Sequence, residues 1–399
     1  MEKNKVISNN TLIIVLVLVA FVSFYGLILT METTPRQPRM KAVAYRKLNT
    51  SRAHAASTPI KQNRSTLTER KLVLFYTGFF GDMSWSFLSE RVMNKLNEEP
   101  CPYKCRVTSD KKLFANSSAV IFHARDMPSV TTLNDLMRKK PVTQVWVYFI
   151  MENPINTPPP SQFNNMFNWT MTYSSKSDVF FPYGQYYASP SPSIADDFTQ
   201  GKDKLIVWGV SHCGKLRDSV AKKLSEYLPV NIYGGCASRF PKRTQDGTTC
   251  PRFNQECDAL MLRFKFALSF ENEECPDYTT EKYWFAIQRG NLPIVLGGIN
   301  DNVAIPGSYI HIKDFPNIKA LSEYIKYLDK NHTAYNQYFQ WKRKYKVNAN
   351  AFSYTRAGCN LCSLLNTRKS PKVYEHLDRF WDRGMCNRES EKLLNIISG

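Results

Sequence analysis

Along most of the chain, short continuous apolar runs alternate with stretches of helical periodicity. Residues 72–76, 119–122, 145–151 and 178–181 in the first half read as strands, as do 205–210, 231–233, 264–270, 293–296 and 309–312 in the second. Between them, residues 219–228 and 319–328 repeat their apolar positions with helical spacing. Strands that are apolar at nearly every position and joined by helices are the pattern of parallel sheets covered on both faces. The expected fold class is therefore α/β, two doubly wound domains. Folds of that kind take ligands at the carboxyl ends of their strands, so the residues just after each strand are where chemistry is to be sought.

The N-terminal pattern is different. No charged residue falls between Val6 and Met31, and residues 12–29 are an almost unbroken apolar run. At about 1.5 Å per residue, a helix over 11–31 is long enough to cross a hydrocarbon core of about 30 Å. A cleaved signal peptide is the alternative, but its apolar stretch is shorter, about 7 to 15 residues, and Leu29-Thr30-Met31 is a poor cleavage site. The expected order is a tail at 1–10, an uncleaved membrane anchor at 11–31, and a flexible stem at 32–70 that is rich in Thr, Ser, Pro, Lys and Arg and lacks periodicity. Lys3 and Lys5 precede the span while Arg36, Arg39, Lys41, Arg46 and Lys47 follow it, so charge alone does not orient it.

The chain has 53 Lys and Arg against 34 Asp and Glu, a formal charge of +19, with 43% hydrophobic and 13% aromatic residues. That composition supports a sizeable core and excludes a wholly disordered chain. The basic excess suits a ligand carrying anionic phosphates. Nucleic acid is disfavoured by the anchor and by glycosylation sequons at Asn49, Asn63, Asn116, Asn168 and Asn331, which belong in a lumenal location. Ten cysteines, all after residue 100, point to disulfides in an oxidising compartment. Cys101 with Cys105, and Cys359 with Cys362, read as local disulfides near the two ends of the globular region. Zinc is the weaker alternative, because no histidine or second close Cys-x-x-Cys pair accompanies them at finger spacing.

Three strand ends carry candidate chemistry. The run 145–151 leads into Glu152, with Pro154, Pro158, Pro159 and Pro160 keeping the loop out of helix. Near Trp146 and Tyr148 this carboxylate can be partly desolvated, which suits a general base; an ordinary solvated carboxylate is the alternative. After 264–270 come Glu271, Asn272 and Tyr278, then a helix with Thr280 as N-cap and Gly290 as its stop, and the next strand. Lys282 in the first helical turn is opposed by the macrodipole by about 0.3–1 kcal/mol, so a negative partner is expected. A diphosphate at the helix N-terminus supplies one; a lysine reaching solvent beside Glu281 is the alternative. After 205–210, Ser211, His212 and Cys213 lead to Arg217, whose fork fits phosphate oxygens, although an isolated arginine is more often a surface residue. A Cys213–His212 nucleophile is a weaker reading than a disulfide.

Taken in order, these stretches resemble the α1,3-fucosyltransferases. The resemblance rests on Ala119-Val-Ile-Phe-His-Ala-Arg-Asp126, Trp146-Val147 with Glu152-Asn-Pro154, Phe167-Asn-Trp-Thr170 with Tyr173, Ser177-Asp-Val179 and Pro182-Tyr-Gly184. It continues through Phe270-Glu-Asn272, Asp277-Tyr278, Thr280-Glu-Lys282 and Tyr338-Phe-Gln-Trp341, and so covers nearly all of residues 71–365. It implies two Rossmann-like domains facing across a cleft (GT-B type), after a single transmembrane helix and a stem. An acceptor-side domain would occupy 71–200 and a GDP-fucose-binding domain 201–365, with 366–399 packing back on the catalytic unit. The implied activity is transfer of L-fucose from GDP-fucose, with inversion and in α1,3 linkage, to a GlcNAc of a glycan on a glycoprotein or glycolipid. The implied location is the Golgi membrane, type II, with the catalytic unit in the lumen.

By the same resemblance Glu152 is the general base, and Arg217 and Lys282 neutralise the leaving diphosphate. Glu271, Asn272, Tyr278 and Glu281 match the stretch that holds the donor. His212 stands where the family usually has Asn, which leaves that loop's donor contact open. No Asp-x-Asp triplet occurs, in agreement with donor binding that needs no obligatory cofactor and leaves a divalent cation at most a stimulatory role. Acceptor choice is expected to fall to loops 77–87 and 151–163, through sugar faces stacking on Phe79, Phe80 and Trp85. Two rivals stand beside this reading: a catalytically inactive lumenal glycan-binding protein of the same fold, because fold does not fix function, and a glycoside hydrolase, which needs two carboxylates about 5 to 9.5 Å apart.

Overall fold

β1 (Lys71–Phe75), β2 (Cys105–Thr108), β3 (Ala119–His123), β4 (Val145–Ile150), β5 (Trp169–Thr172) and β6 (Val179–Phe180) form a parallel sheet in the order β2-β1-β3-β4-β5-β6. Every residue of β3 and β4 is buried. Alternate side chains feed two separate cores, with Ile121, Val147 and Phe149 on one face and Val120, Phe122, Trp146 and Tyr148 on the other. These strands read as unbroken apolar runs because both faces are covered.

The computed structural model describes residues 70–93, 101–188, 197–241, 244, 250–251, 254–349, 355–368 and 372–399. The expected tail at 1–10, the anchor at 11–31, the stem up to residue 69, and Asn49 and Asn63 lie outside the described residues. Among the described residues no helix is long and apolar enough to cross a membrane.

The chain then passes through β7 (Gln185–Ala188) into a second parallel sheet. Its strands are β8 (Lys204–Gly209), β9 (Val230–Tyr233), β10 (Phe264–Phe270), β11 (Leu292–Leu296) and β12 (Ile310–His311), in the order β12-β11-β10-β8-β9. Strand order reverses between β1 and β3 in the first sheet and between β8 and β10 in the second, which opens a crevice at each carboxyl edge. β13 (Tyr345–Asn348) pairs antiparallel with β7, Tyr345 opposite Ala188, so the outgoing and returning passages between the sheets form one ribbon. At its foot Gly184 lies so close to the helix Glu281–Gln288 that a Cβ there would come within 2.2 Å of the Trp284 ring.

Four strands escape the apolar-run pattern. β2 and β13 alternate polar and apolar residues, as edge and ribbon strands exposed on one side do. β5, Trp-Thr-Met-Thr, is buried throughout, but its threonines are buried with partners: Thr170 N and Oγ1 both donate to Asp178, at 3.0 and 3.3 Å. β7 is short and only partly buried.

The C-terminal segment corrects two expectations. The boundary placed at 365 falls inside the helix Thr355–Thr367, whose Ala357, Leu361 and Cys362 pack into a core of the first sheet. Leu377 and Trp381 enter that sheet's other core, and Leu393 and Ile396 then reach the core of the second. The cysteines do not pair locally either. Cys101 bonds Cys359 and Cys105 bonds Cys362, because a three-residue spacing on a helix puts both thiols on one face, turned toward β2 and not toward each other. Cys213–Cys236, Cys250–Cys257 and Cys275–Cys386 complete five disulfides among the described residues.

Asn168 is corrected as a glycan acceptor. It is buried, its Oδ1 accepts from Trp146 N at 2.8 Å and its Nδ2 donates to Lys372 O at 3.0 Å, so a sugar on that nitrogen does not fit this fold. Asn116 is exposed. Asn331 is half-buried and caps the helix His332–Gln337, with its Nδ2 3.1 Å from Tyr327 Oη.

Because Cys101–Cys359 and Cys105–Cys362 close nearly the same loop, with separations of 258 and 257 residues, their effects are expected to be redundant. Replacing Cys101 and Cys359 with Ser should cost little, whereas replacing all four should cost about 3 to 5 kcal/mol. Denaturant midpoints of the two variants, with non-reducing peptide mapping of the parent, measure this.

Candidate active site

Beyond β4 the chain turns through Glu152 and the buried Asn153 into a short 3-10 turn, Pro154–Asn156. Asn153 Oδ1 caps that turn by accepting from Asn156 N at 3.1 Å. One oxygen of Glu152, Oε1, accepts three hydrogen bonds: from Asn153 N at 3.0 Å, Asn153 Nδ2 at 2.8 Å and the Tyr278 hydroxyl at 2.7 Å. Asn153 Nδ2 also reaches Asn272 Oδ1 at 3.1 Å. The acid at the end of a first-sheet strand is thus bonded directly and indirectly to the loop that follows β10 in the second sheet.

That loop is held from within. Glu271 N donates to Leu296 O at 2.8 Å, and the Glu271 carboxylate is buried, accepting from Thr280 N at 2.8 Å and from Thr280 Oγ1 at 2.9 Å. A Cβ on Gly297, whose φ is +152°, would sit 3.0 Å from Glu271 Cγ, so only glycine lets β11 pass so closely. Asp277 makes a second crossing link: its Oδ2 accepts from Ser175 N at 2.9 Å and Ser175 Oγ at 2.7 Å, beyond β5.

Thr280 occupies the N-cap position, but its side chain does not cap the helix; it serves Glu271 and Lys282 instead. Lys282 Nζ lies 3.1 Å from Glu271 Oε2, 3.1 Å from Glu281 Oε1 and 2.8 Å from Thr280 Oγ1. The negative partner expected for a lysine in the first turn is therefore a pair of the protein's own carboxylates. Burial works against the Lys282 cation, but the two carboxylates outweigh it and raise its pKa. Burial pushes the Glu271 carboxyl up, opposed by Lys282. Burial acts upward on Glu281 too, but there Lys282 prevails and the pKa is lowered.

Arg217 comes from the helix Leu216–Leu224 and is buried. Its Nη1 donates to Phe270 O and its Nη2 to His212 O, both at 2.8 Å, and its guanidinium lies 5.9 Å from the Trp208 ring centre. Nε has no partner. The side chain ties the ends of β8 and β10 together one residue before Glu271, so it is no surface arginine. Burial draws its pKa down. Cys213 is bonded to Cys236, which removes it as a nucleophile.

Tyr278 is buried against Tyr173 and Tyr183, at ring distances of 4.8 and 6.1 Å. Burial, then the Tyr183 hydroxyl and the Glu152 carboxylate, hold its phenol well above the usual range; it stays a neutral donor to Glu152. On the acceptor side expected from the sequence, Trp85 is a core residue, stacked 4.5 Å from Phe75 with Nε1 bonded to Thr77 O. Phe80 is the aromatic left open, 59% exposed. Its loop is held by Asp126, which accepts from Phe80 N at 2.9 Å and Gly81 N at 3.1 Å.

All seven residues singled out in the sequence thus gather where β4, β8 and β10 end. Asn153 was missed, although a polar residue immediately before a proline is a turn-capping signal, and nothing local pointed to Asp277 as a cross-sheet link. Among the described residues no group of three or more His, Cys, Asp or Glu is placed to hold a metal ion.

Two family models match the chain: "Fucosyltransferase, N-terminal" over residues 60–184, and "Glycosyltransferase family 10 (fucosyltransferase) C-term" over residues 199–381. The 4-galactosyl-N-acetylglucosaminide 3-alpha-L-fucosyltransferase 9 of Rattus norvegicus is 33% identical over 284 residues, covering 70% of this chain and 75% of that protein. The chain belongs to the fucosyltransferases of glycosyltransferase family 10. Alpha-(1,3)-fucosyltransferase C of Drosophila melanogaster is 29% identical over 356 residues, 80% of each chain. A crystal structure of an alpha1,3-fucosyltransferase shares the fold of this fucosyltransferase, with a TM-score of 0.50 at 15% identity over 77% of this chain and 94% of that one.

Lys282→Met would leave Glu271 buried without its cation, at a cost of about 3 kcal/mol. The stranded carboxyl then binds its proton more tightly folded than unfolded, so the loss should grow as pH rises from the carboxylate range to neutrality. Adding Glu271→Gln should recover most of the stability at neutral pH. Unfolding midpoints of both variants across pH check the pairing.

Proposed function

We propose that this fucosyltransferase moves L-fucose from GDP-fucose to a GlcNAc hydroxyl of a glycan in α1,3 linkage, with inversion at the anomeric carbon. The observation that carries the proposal is the meeting of Glu152, from the first sheet, with the loop and helix that hold Tyr278, Glu271 and Lys282 on the second. A base and a cationic group at facing strand ends are what a displacement between two substrates requires.

In this reading the two sheets are the halves of a GT-B arrangement, with the acceptor on the first and the donor on the second. Glu152 takes the proton of the acceptor hydroxyl as that oxygen bonds to the anomeric carbon. The bond from that carbon to the diphosphate oxygen breaks on the opposite face, and GDP leaves with the electron pair. Arg217 and Lys282 stabilise the charge gathering on the diphosphate. Asn272, Glu271 and Glu281 orient the donor, and Phe80 offers an aromatic face to a sugar ring.

The location proposed is the Golgi lumen, in a type II membrane protein anchored through residues 11–31. The apolar run at 12–29 and the five disulfides support it, because such bonds persist in oxidising compartments.

The full chain, supplied with GDP-fucose and a panel of GlcNAc-containing glycans, should give a fucosylated product; release of GDP without any such product would overturn the proposal. Glu152→Gln should lower kcat about 10²- to 10⁴-fold with little change in KM for GDP-fucose. Arg217→Lys keeps the charge but cannot span both carbonyls, and should weaken GDP binding together with turnover, as read by calorimetry beside steady-state kinetics.

A further inference from the structure

Residues 382–389 touch both loops of the site from outside. The 3-10 turn Arg383–Met385 is capped by Asp382 Oδ1, which accepts from Gly384 N at 2.9 Å. Arg383 places its guanidinium on the turn that follows Glu152, with Nε donating to Pro154 O at 3.2 Å and Nη2 to Thr157 O at 2.9 Å. Pro154 O also accepts from Thr157 N at 3.4 Å, which closes the Pro154–Asn156 turn, so the guanidinium braces a carbonyl that already holds the turn and adds the Thr157 carbonyl just beyond it. Among the described residues no carboxylate pairs with Arg383, and the residue is exposed. Core packing and ion pairing therefore do not account for it; its two bonds to the Glu152 loop do.

Three residues on, the same segment grips the loop after β10. Cys386 is bonded to Cys275. Asn387, at φ +56°, exchanges hydrogen bonds with Glu274: its N donates to Glu274 O at 2.9 Å and its Oδ1 accepts from Glu274 N at 2.8 Å. Its Nδ2 donates to Glu273 Oε2 at 2.7 Å, and Glu273 Oε1 is in turn 2.5 Å from Lys215 Nζ, beside the helix that carries Arg217. One short turn thus spans from the Glu152 loop to the Glu271–Tyr278 loop.

We propose that residues 382–389 are a positioning clasp that sets the distance between the base and the donor loop, with Arg383 as the positioning residue acting through Glu152. The inference rests on the reading of Glu152 as general base. Arginine suits the task because its planar fork spans two carbonyls at once, whereas an ammonium contacts one at a time. A small displacement of a catalytic group is enough to lower turnover without changing how substrate binds.

The test uses the full chain. Arg383→Gln should lower kcat about 10- to 100-fold while KM for GDP-fucose and the Kd of GDP stay within about twofold. Asn387→Gly keeps the left-handed backbone but removes the side-chain grip on the donor loop, and should instead raise KM for GDP-fucose about threefold to tenfold. The combination Glu152→Gln/Arg383→Gln should be no slower than Glu152→Gln alone, because Arg383 acts only through that carboxylate; a merely structural residue would lower the residual rate again. If Arg383→Gln does not fold, Arg383→Lys, which keeps the cation, carries the same comparison. Parental kcat in the Arg383 variant, a loss matched by equal loss of GDP affinity, or a further loss in the combination overturns the clasp. Full turnover in Glu152→Gln overturns the assignment of the base and the clasp with it; a loss there beside parental turnover in Arg383→Gln overturns the clasp alone.

Discussion

The hydrogen bond from the Tyr278 hydroxyl to Glu152, 2.7 Å long, is the point on which the arrangement turns. Glu152 follows a strand of one parallel sheet and Tyr278 lies in a loop of the other, so their contact fixes how the two carboxyl edges meet. The tyrosine is suited to the task because burial and the neighbouring Tyr183 and Glu152 keep it protonated. A neutral phenol donates without adding charge, and the carboxylate keeps an oxygen for another partner. Asn153 to Asn272 and Ser175 to Asp277 repeat the crossing. Among the described residues, these contacts join the two edges.

The charged group beside this junction is held by the protein's own carboxylates. Lys282 is opposed by burial but dominated by Glu271 and Glu281, so it keeps its proton at neutral pH. Its ammonium is held in place between those two carboxylates and the Thr280 hydroxyl. Arg217 is likewise pinned by two backbone carbonyls. Fixed charges in a partly desolvated site interact more strongly than the same charges in water and need little rearrangement as charge moves. The cost is a buried Glu271 that is tolerable only while Lys282 and Thr280 stay in place.

Much of this was legible in the sequence because parallel sheets write themselves as continuous apolar runs. β4, β8, β10 and β11 were read within a residue or two of their ends, and the chemistry sits where those runs stop. What the runs do not encode is pairing at long range. Cys359 and Cys362 look like a local couple until a helix turns both the same way. Asn168 looks like a glycan acceptor until the edge of β5 buries it. Trp85 looks like an exposed platform until it stacks on Phe75. Arg383 gives no local signal at all, since its partners are backbone carbonyls more than two hundred residues earlier in the chain.

The route of the chain limits how the two halves can move. The outgoing passage in β7 and the returning passage in β13 are hydrogen-bonded to one another, and this ribbon packs through Tyr186, Tyr345 and Val347 with Trp284 of the helix that carries Lys282. The returning segment is then fastened to the first sheet by two disulfides, passes the Glu152 loop at Arg383, and is fastened to the loop after β10 by a third. A wide hinge opening would have to part the Glu152–Tyr278 contact while Cys275–Cys386 keeps the loop after β10 tied to the turn that holds the Glu152 loop.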